Sequence, residues 1–68
     1  MDYAAMGNRI RKARKEKRMT QEQLAEAAEI STQFVGHIER GTKVPSVKTL
    51  YSICKALGKT MDSMAAGD

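Results

Sequence analysis

Residues 20–41 read TQEQLAEAAEISTQFVGHIERG, and the fold turns on how this stretch divides. Thr20 and Gln23 match the S/T-x-x-E/Q capping box, in which the hydroxyl takes a free backbone N–H and the amide reaches back to the cap, so a helix opens at Thr20. The run QEQLAEAAE favours helix, and Leu24, Ala25 and Ala28 form its inner face. Two of those three are alanine, which lets another helix approach closely. Ser31 is the next N-cap, and Phe34, Val35 and Ile38 give the following helix an apolar side before Gly41 ends it. Only Glu29 and Ile30 link the two, so they must cross at a steep angle. The pattern is helix-turn-helix over about 20–41. Opposite Val35 and Ile38 stand Thr32, Gln33, Gly36 and His37, a set that neither packs well nor carries charge. That face points to something outside the chain.

Upstream, Met6, Ile10 and Ala13 recur at helical spacing, which predicts a first helix from Tyr3 or Ala5 to Lys17 with Asp2 as its cap. Downstream, GTKVPS is the one clear loop, and Pro45 with Ser46 starts a fourth helix. Its apolar positions are Val47, Leu50, Tyr51, Cys54 and Leu57, and Gly58 suits a left-handed C-terminal residue. A short fifth helix follows from Thr60, with Met61 and Met64 as its apolar residues, and the tail at 65–68 is expected to fray. Strand patterns, repeats and low-complexity tracts are absent from the sequence. The prediction is an all-α domain of five helices over 1–68.

At 68 residues and 41% hydrophobic content, the chain lies near the lower limit at which a core offsets conformational entropy. A lone cysteine, Cys54, excludes an internal disulfide, and His37 lacks Cys or His partners at ligand spacing, so neither metal nor cofactor is expected. No basic-then-apolar leader is present, and no apolar run nears the roughly 18 residues of a membrane span, so a cytoplasmic protein without a membrane partner is expected. Ser, Cys, His and acids show no nucleophile–base arrangement, which argues against an enzyme, and so short a chain offers little cleft for a small molecule.

The formal net charge of +4 is segregated. Arg9, Arg11, Lys12, Arg14, Lys15, Lys17 and Arg18 crowd the first 20 residues against Asp2 and Glu16. Residues 21–39 carry only acids, and Arg40, Lys43, Lys48, Lys55 and Lys59 stand unopposed from 40 to 59. Two basic blocks flanking an acidic one suit a polyanionic partner; the plainer reading is a solvated helix face.

With TQEQLAEAAEIS, VGHIERG and PSVKTLYSICKALG in this order, the chain resembles the lambda-repressor-like, Cro-type (XRE) helix-turn-helix family. The resemblance runs from about Met6 to Met64. It includes I-R-x-x-R (Ile10, Arg11, Arg14), T-Q-x-x-L-A (Thr20, Gln21, Leu24, Ala25), I-E-R-G (Ile38 to Gly41) and P-S (Pro45, Ser46). It implies that helix three enters the major groove of double-stranded DNA while helix two lies across the backbone. Thr32, Gln33, Gly36 and His37 are then the base-reading positions. Gln33 suits a bidentate pair with adenine, Thr32 offers a methyl to thymine or a hydroxyl to either edge, and His37 donates to guanine. The resemblance also implies a phosphate bond for Gln21 at the start of helix two, where free backbone N–H groups favour anions; Ser46 follows the same logic at helix four. Lys43 and Arg14 are further phosphate candidates, with Arg9 and Lys12 behind them. In this family a helix-one arginine pairs with a helix-three glutamate, here Arg14 with Glu39, which would fix the angle of the reading helix.

Three positions depart from the family pattern. Glu29 stands where glycine is common, at a turn residue expected to need positive φ, at a penalty of about 1 kcal/mol. Lys59 replaces an often apolar residue beneath helix five. Gly36 is a poor mid-helix residue, which is either tolerated drift or clearance for a base or the sugar-phosphate wall. Cys54 reads as core rather than redox sensor, and Phe34 as packing toward the later helices. Met61, Met64, Tyr51 and Leu57 either close the core or form the interface of a homodimer reading half-sites about 34 Å apart. The function expected is a DNA-binding transcriptional regulator, a repressor in particular. The rival is a protein-interaction module or antitoxin docking through Phe34, Met61 and Met64.

Overall fold

The computed structural model describes residues 2–66. Those residues form α1 (Tyr3–Glu16), α2 (Gln21–Ala28), α3 (Thr32–Arg40), α4 (Val47–Leu57) and α5 (Met61–Ala66), with no strand among them. The all-α reading of the periodicities therefore holds. α5 takes in Ala65 and Ala66, the first two residues of the tail, while Gly67 and Asp68 lie outside the described residues.

Each of the first four helices starts where a short polar side chain can take an orphan N–H. Asp2 accepts from Ala5 N at 3.0 Å, Ser31 from Phe34 N at 3.0 Å and Ser46 from Thr49 N at 3.1 Å. At α2 the capping box closes in both directions: Gln23 N donates to Thr20 Oγ1 at 3.0 Å, and Thr20 N donates to Gln23 Oε1 at 2.9 Å. Gly41 and Gly58 end α3 and α4 in the left-handed region, at φ 76° and 68°. Glu29 adopts φ 60° at the end of α2, where a side chain is strained. Arg18, in the turn between α1 and α2, shares this conformation at φ 57°.

α1 packs on α3 and α5, and α2 packs on α3 and α4. Between them lie Met6, Ile10, Ala13, Leu24, Ala25, Ala28, Val35, Ile38, Leu50, Ile53, Cys54, Leu57 and Met64, all buried. Gly7 belongs to the α1–α3 contact. A Cβ built on it would stand 2.6 Å from the Glu39 carbonyl oxygen and closer still to that of Ile38, so the two backbones touch where a side chain has no room. Helix periodicity shows apolar positions, and a glycine that permits contact escapes it.

The apolar stripe of α4 needs correction. Val47 is 75% exposed and Tyr51 57% exposed, whereas Ile53, absent from the expected stripe, is 1% exposed. The inward set is Leu50, Ile53, Cys54 and Leu57, an i, i+3, i+4, i+7 pattern, with Val47 and Tyr51 at its margin. Lys59 is exposed, and Met64 supplies the core beneath α5. Among the described residues, no helix is long and apolar enough to cross a membrane.

Candidate nucleic-acid interface

α3 is held by its apolar side, Val35 and Ile38, which leaves its opposite face outward. Thr32 and Gln33 are exposed and His37 is half-buried. Together with Gly36, Gln21 and Arg40 they line one open concavity, so the helix spacing brings the predicted base readers onto a common surface beside the start of α2. Gly36 is itself buried, because Arg40 folds back along α3 and covers it. Sequence reasoning missed Arg40. Its signal was the i, i+4 offset from Gly36, which places the two residues on the same side of the helix.

A second concavity continues from the first, lined by Ala4, Asn8, Arg11, Gln21, Glu39 and Arg40. Arg11, a cation to which the sequence alone assigns no role, thus lines the same concavity as Gln21 and Arg40. Gln21 is half-buried, and its Nε2 donates to Glu39 Oε1 at 3.0 Å. The second hydrogen of that amide and the free N–H groups of the first α2 turn remain on the anion-favouring end of the helix.

Beneath this surface lies a closed charge network. Arg14 Nε donates to Glu39 Oε2 at 2.6 Å, and Nη2 donates to Glu39 Oε1 at 3.1 Å. Nη1 donates to the Met19 carbonyl oxygen at 2.8 Å. The two side chains are 9% and 3% exposed. Arg14 on α1, Gln21 on α2 and Glu39 on α3 are therefore tied together, and among the described residues no buried side-chain polar atom is left without a partner. Such a pair gains strength from its low-dielectric surroundings because both partners are satisfied.

This geometry corrects several assignments. All three nitrogens of Arg14 already donate, and the residue is buried, so it leaves the phosphate candidates. Arg9 Nη1 donates to the carbonyls of Met64 and Ala65 at 3.1 and 3.2 Å, satisfying the open carbonyl end of α5 rather than a phosphate. Lys12 lies on the α1–α5 side with Arg9, Lys59 and Ser63, away from the α3 concavity. Lys43 is exposed in the loop after α3. Ser46 Oγ is engaged with Thr49, accepting from its N and donating to its Oγ1 at 3.0 Å. Leu57 and Met64 are 2% and 5% exposed and belong to the core of their own chain, so they cannot be interface residues; Tyr51 and Met61 instead border a shallow groove with Lys55, Thr60 and Asp62. Phe34 is half-buried against the core. Cys54 is buried, and desolvation pushes its thiol pKa up, away from the reactive thiolate.

The Helix-turn-helix family model matches residues 10–64, which span α2, α3 and the turn between them. The chain belongs to this helix-turn-helix family. Among relatives of this helix-turn-helix domain, YazB of Bacillus subtilis (strain 168), an uncharacterized HTH-type transcriptional regulator, is 38% identical over 65 residues, 96% of this chain and 94% of YazB. The immunity repressor protein of Bacillus phage phi105 is 45% identical over 53 residues, 78% of this chain. The match spans only 37% of that repressor. The crystal structure of the P22 c2 repressor in complex with a synthetic operator superposes with a TM-score of 0.90 at 32% identity, covering 93% of this chain and 96% of the repressor chain. The lambda-repressor-like resemblance drawn from the motifs is thus matched in both sequence and fold.

Proposed function

We infer that this helix-turn-helix domain is a sequence-specific DNA-binding transcriptional regulator that inserts α3 into the major groove and lays the N-terminus of α2 against the sugar-phosphate backbone. One observation carries the reading: Thr32, Gln33, Gly36 and His37 share a single open surface with Gln21 and Arg40. Side chains that donate and accept in a groove stand beside groups that bind phosphate, so base contacts and positioning contacts are made at once. The core network of Arg14, Gln21 and Glu39 holds the angle between α2 and α3 on which that coincidence depends. Arg11, Arg40 and Lys43 supply cations around it.

The regulator acts as a repressor by occupying operator DNA; the P22 c2 repressor, of the same fold, is crystallised with a synthetic operator. It works as a homodimer, because one α3 reaches too few base pairs for strong discrimination and a two-fold pair reads two half-sites about 34 Å apart. The exposed Val44, Val47 and Tyr51, with the half-buried Met61, offer apolar surface for that contact. A binding role, in place of catalysis, suits this open and shallow surface. It also suits a protein that works in the cytoplasm.

Selection of bound duplexes from a random DNA pool tests this reading. A palindromic pair of short motifs is the expected result, with log affinity falling linearly in log salt at a slope that reflects about four to eight phosphate contacts. Recovery of unbiased sequence, or affinity insensitive to salt, would overturn it in favour of a protein-docking module.

A further inference from the structure

Gly36 and Arg40 stand about one turn apart on α3, and the guanidinium of the second lies over the bare Cα of the first. A Cβ built on Gly36 would lie 3.1 Å from Arg40 Nη1 and 3.8 Å from both Cζ and Nη2, so the whole fork rests over the glycine. Nη2 also comes within 3.4 Å of His37 Nδ1. A long side chain on a helix covers the turn N-terminal to its own Cα, and here it buries Gly36 while Arg40 itself stays exposed. The outer surface at position 36 is therefore made of Arg40 atoms, within the concavity that Thr32, Gln33 and His37 also line.

Among the described residues no carboxylate neutralises that fork: the ion pair is Arg14–Glu39, and both Glu39 oxygens are held by Arg14 and Gln21. DNA offers such a cation two kinds of acceptor, a phosphate or a base edge. A phosphate is met by a flexible cation from many directions, and it gains nothing from a glycine that weakens the helix. A base edge is different, because two parallel hydrogen bonds form only when the fork arrives at a fixed height and angle. Gly36 supplies a seat of that kind, since a β-carbon there would push the fork outward. Guanine is the base whose major-groove edge offers two acceptors, O6 and N7, and a guanidinium only donates.

We propose that Arg40, seated on Gly36, is the guanine-reading residue of α3, so that the side chain presented at position 36 comes from one turn further along the helix. The guanine contact that residue type alone gives to His37 passes to Arg40, which is then more than a surrounding cation. This contact rests on α3 being the DNA reader, and it assigns that reader a specific base.

Duplex selection from a random pool compares the native chain, Arg40→Ala, Gly36→Ala and the double variant, with thermal melts confirming that each is folded. The native chain should require guanine at one fixed position of each half-site. Arg40→Ala should lower that preference about tenfold while the other positions keep theirs. Gly36→Ala should lower it at the same position by a smaller factor, and should change nothing further there once Arg40 is alanine. If Arg40→Ala instead weakens every duplex alike and flattens the salt slope, Arg40 is a phosphate cation and the proposal is overturned. A Gly36→Ala chain with unaltered guanine preference removes the seat. An effect of Gly36→Ala that persists in the Arg40→Ala background also overturns it, since the added methyl would then meet DNA itself. In each of these cases a palindromic motif selected by the native chain leaves the DNA reading standing, whereas recovery of unbiased sequence by the native chain removes both.

Discussion

The Cβ that Gly36 lacks would stand 3.1 Å from Nη1 of Arg40, so the arginine lies back along α3 in space that only a glycine leaves open. Gly36 is a mid-helix residue and costs roughly 0.5 to 1 kcal/mol against alanine. Gly36→Ala should recover that stability, because the atom it meets is the free end of an exposed, flexible side chain. The displaced guanidinium then changes the reading surface. Thermal melting should rise while affinity for the selected duplex changes; higher stability with unaltered binding would show that the glycine clears nothing of consequence.

Gly7 behaves in the opposite way, although it too lies within a helix. Its added methyl would meet the Glu39 and Ile38 carbonyls, which are backbone and cannot step aside, so α1 and α3 must separate. Gly7→Ala should destabilise by about 1–3 kcal/mol, as overpacking does, against the small gain in helix propensity. A urea denaturation midpoint equal to or above the native one would contradict the close backbone contact.

Removing one partner of the Arg14–Glu39 pair leaves a buried charge with no counterion. Glu39→Ala should cost about 3–5 kcal/mol, enough to unfold much of so small a domain. The double change Arg14→Met with Glu39→Leu should cost clearly less than the single one, since both charges leave together. Chemical denaturation of the set checks this; a double variant no better than Glu39→Ala would mean that the loss comes from packing and not from charge.

Glu29 holds φ 60° as the last residue of its turn, where any side chain is strained. Glu29→Gly should therefore stabilise by about 1 kcal/mol, net of the entropy that glycine adds to the unfolded chain. A lower melting temperature would mean that the glutamate makes a compensating contact.

Gln33 and Lys43 belong to different classes of contact. Gln33→Ala should relax preference at particular base pairs, whereas Lys43→Ala should weaken all duplexes alike and flatten the salt slope by about one unit. Competition binding across a panel of duplexes at several salt concentrations distinguishes them. Uniform weakening by both would remove α3 from the role of reader.

Helix starts and stops were legible in the sequence because their determinants lie within one turn. Thr20 with Gln23, Ser31 and Ser46 cap through N–H groups up to three residues away, and Gly41 and Gly58 end their helices by their own backbone. The outward set Thr32, Gln33, Gly36 and His37 was legible for the same reason, since helical spacing is local arithmetic. The inward face of α4 was less so: Val47 and Tyr51 carry apolar side chains at helical spacing, yet Ile53 takes the buried place beside them.

The order of residues by itself determined five helices, the caps of the first four, their all-α class and a polar ridge on the third. Only the tertiary structure decided that Gly7 lets α1 touch α3, that Arg9 closes α5, that Leu57 and Met64 belong to the core, and that Arg40 and Thr42 bracket His37. The physical reason is the range of the interactions. A cap or a turn is satisfied by neighbours a few bonds away, whereas a buried face or a folded-back arginine depends on how rigid helices pack, and that balance is struck among atoms from the whole chain at once.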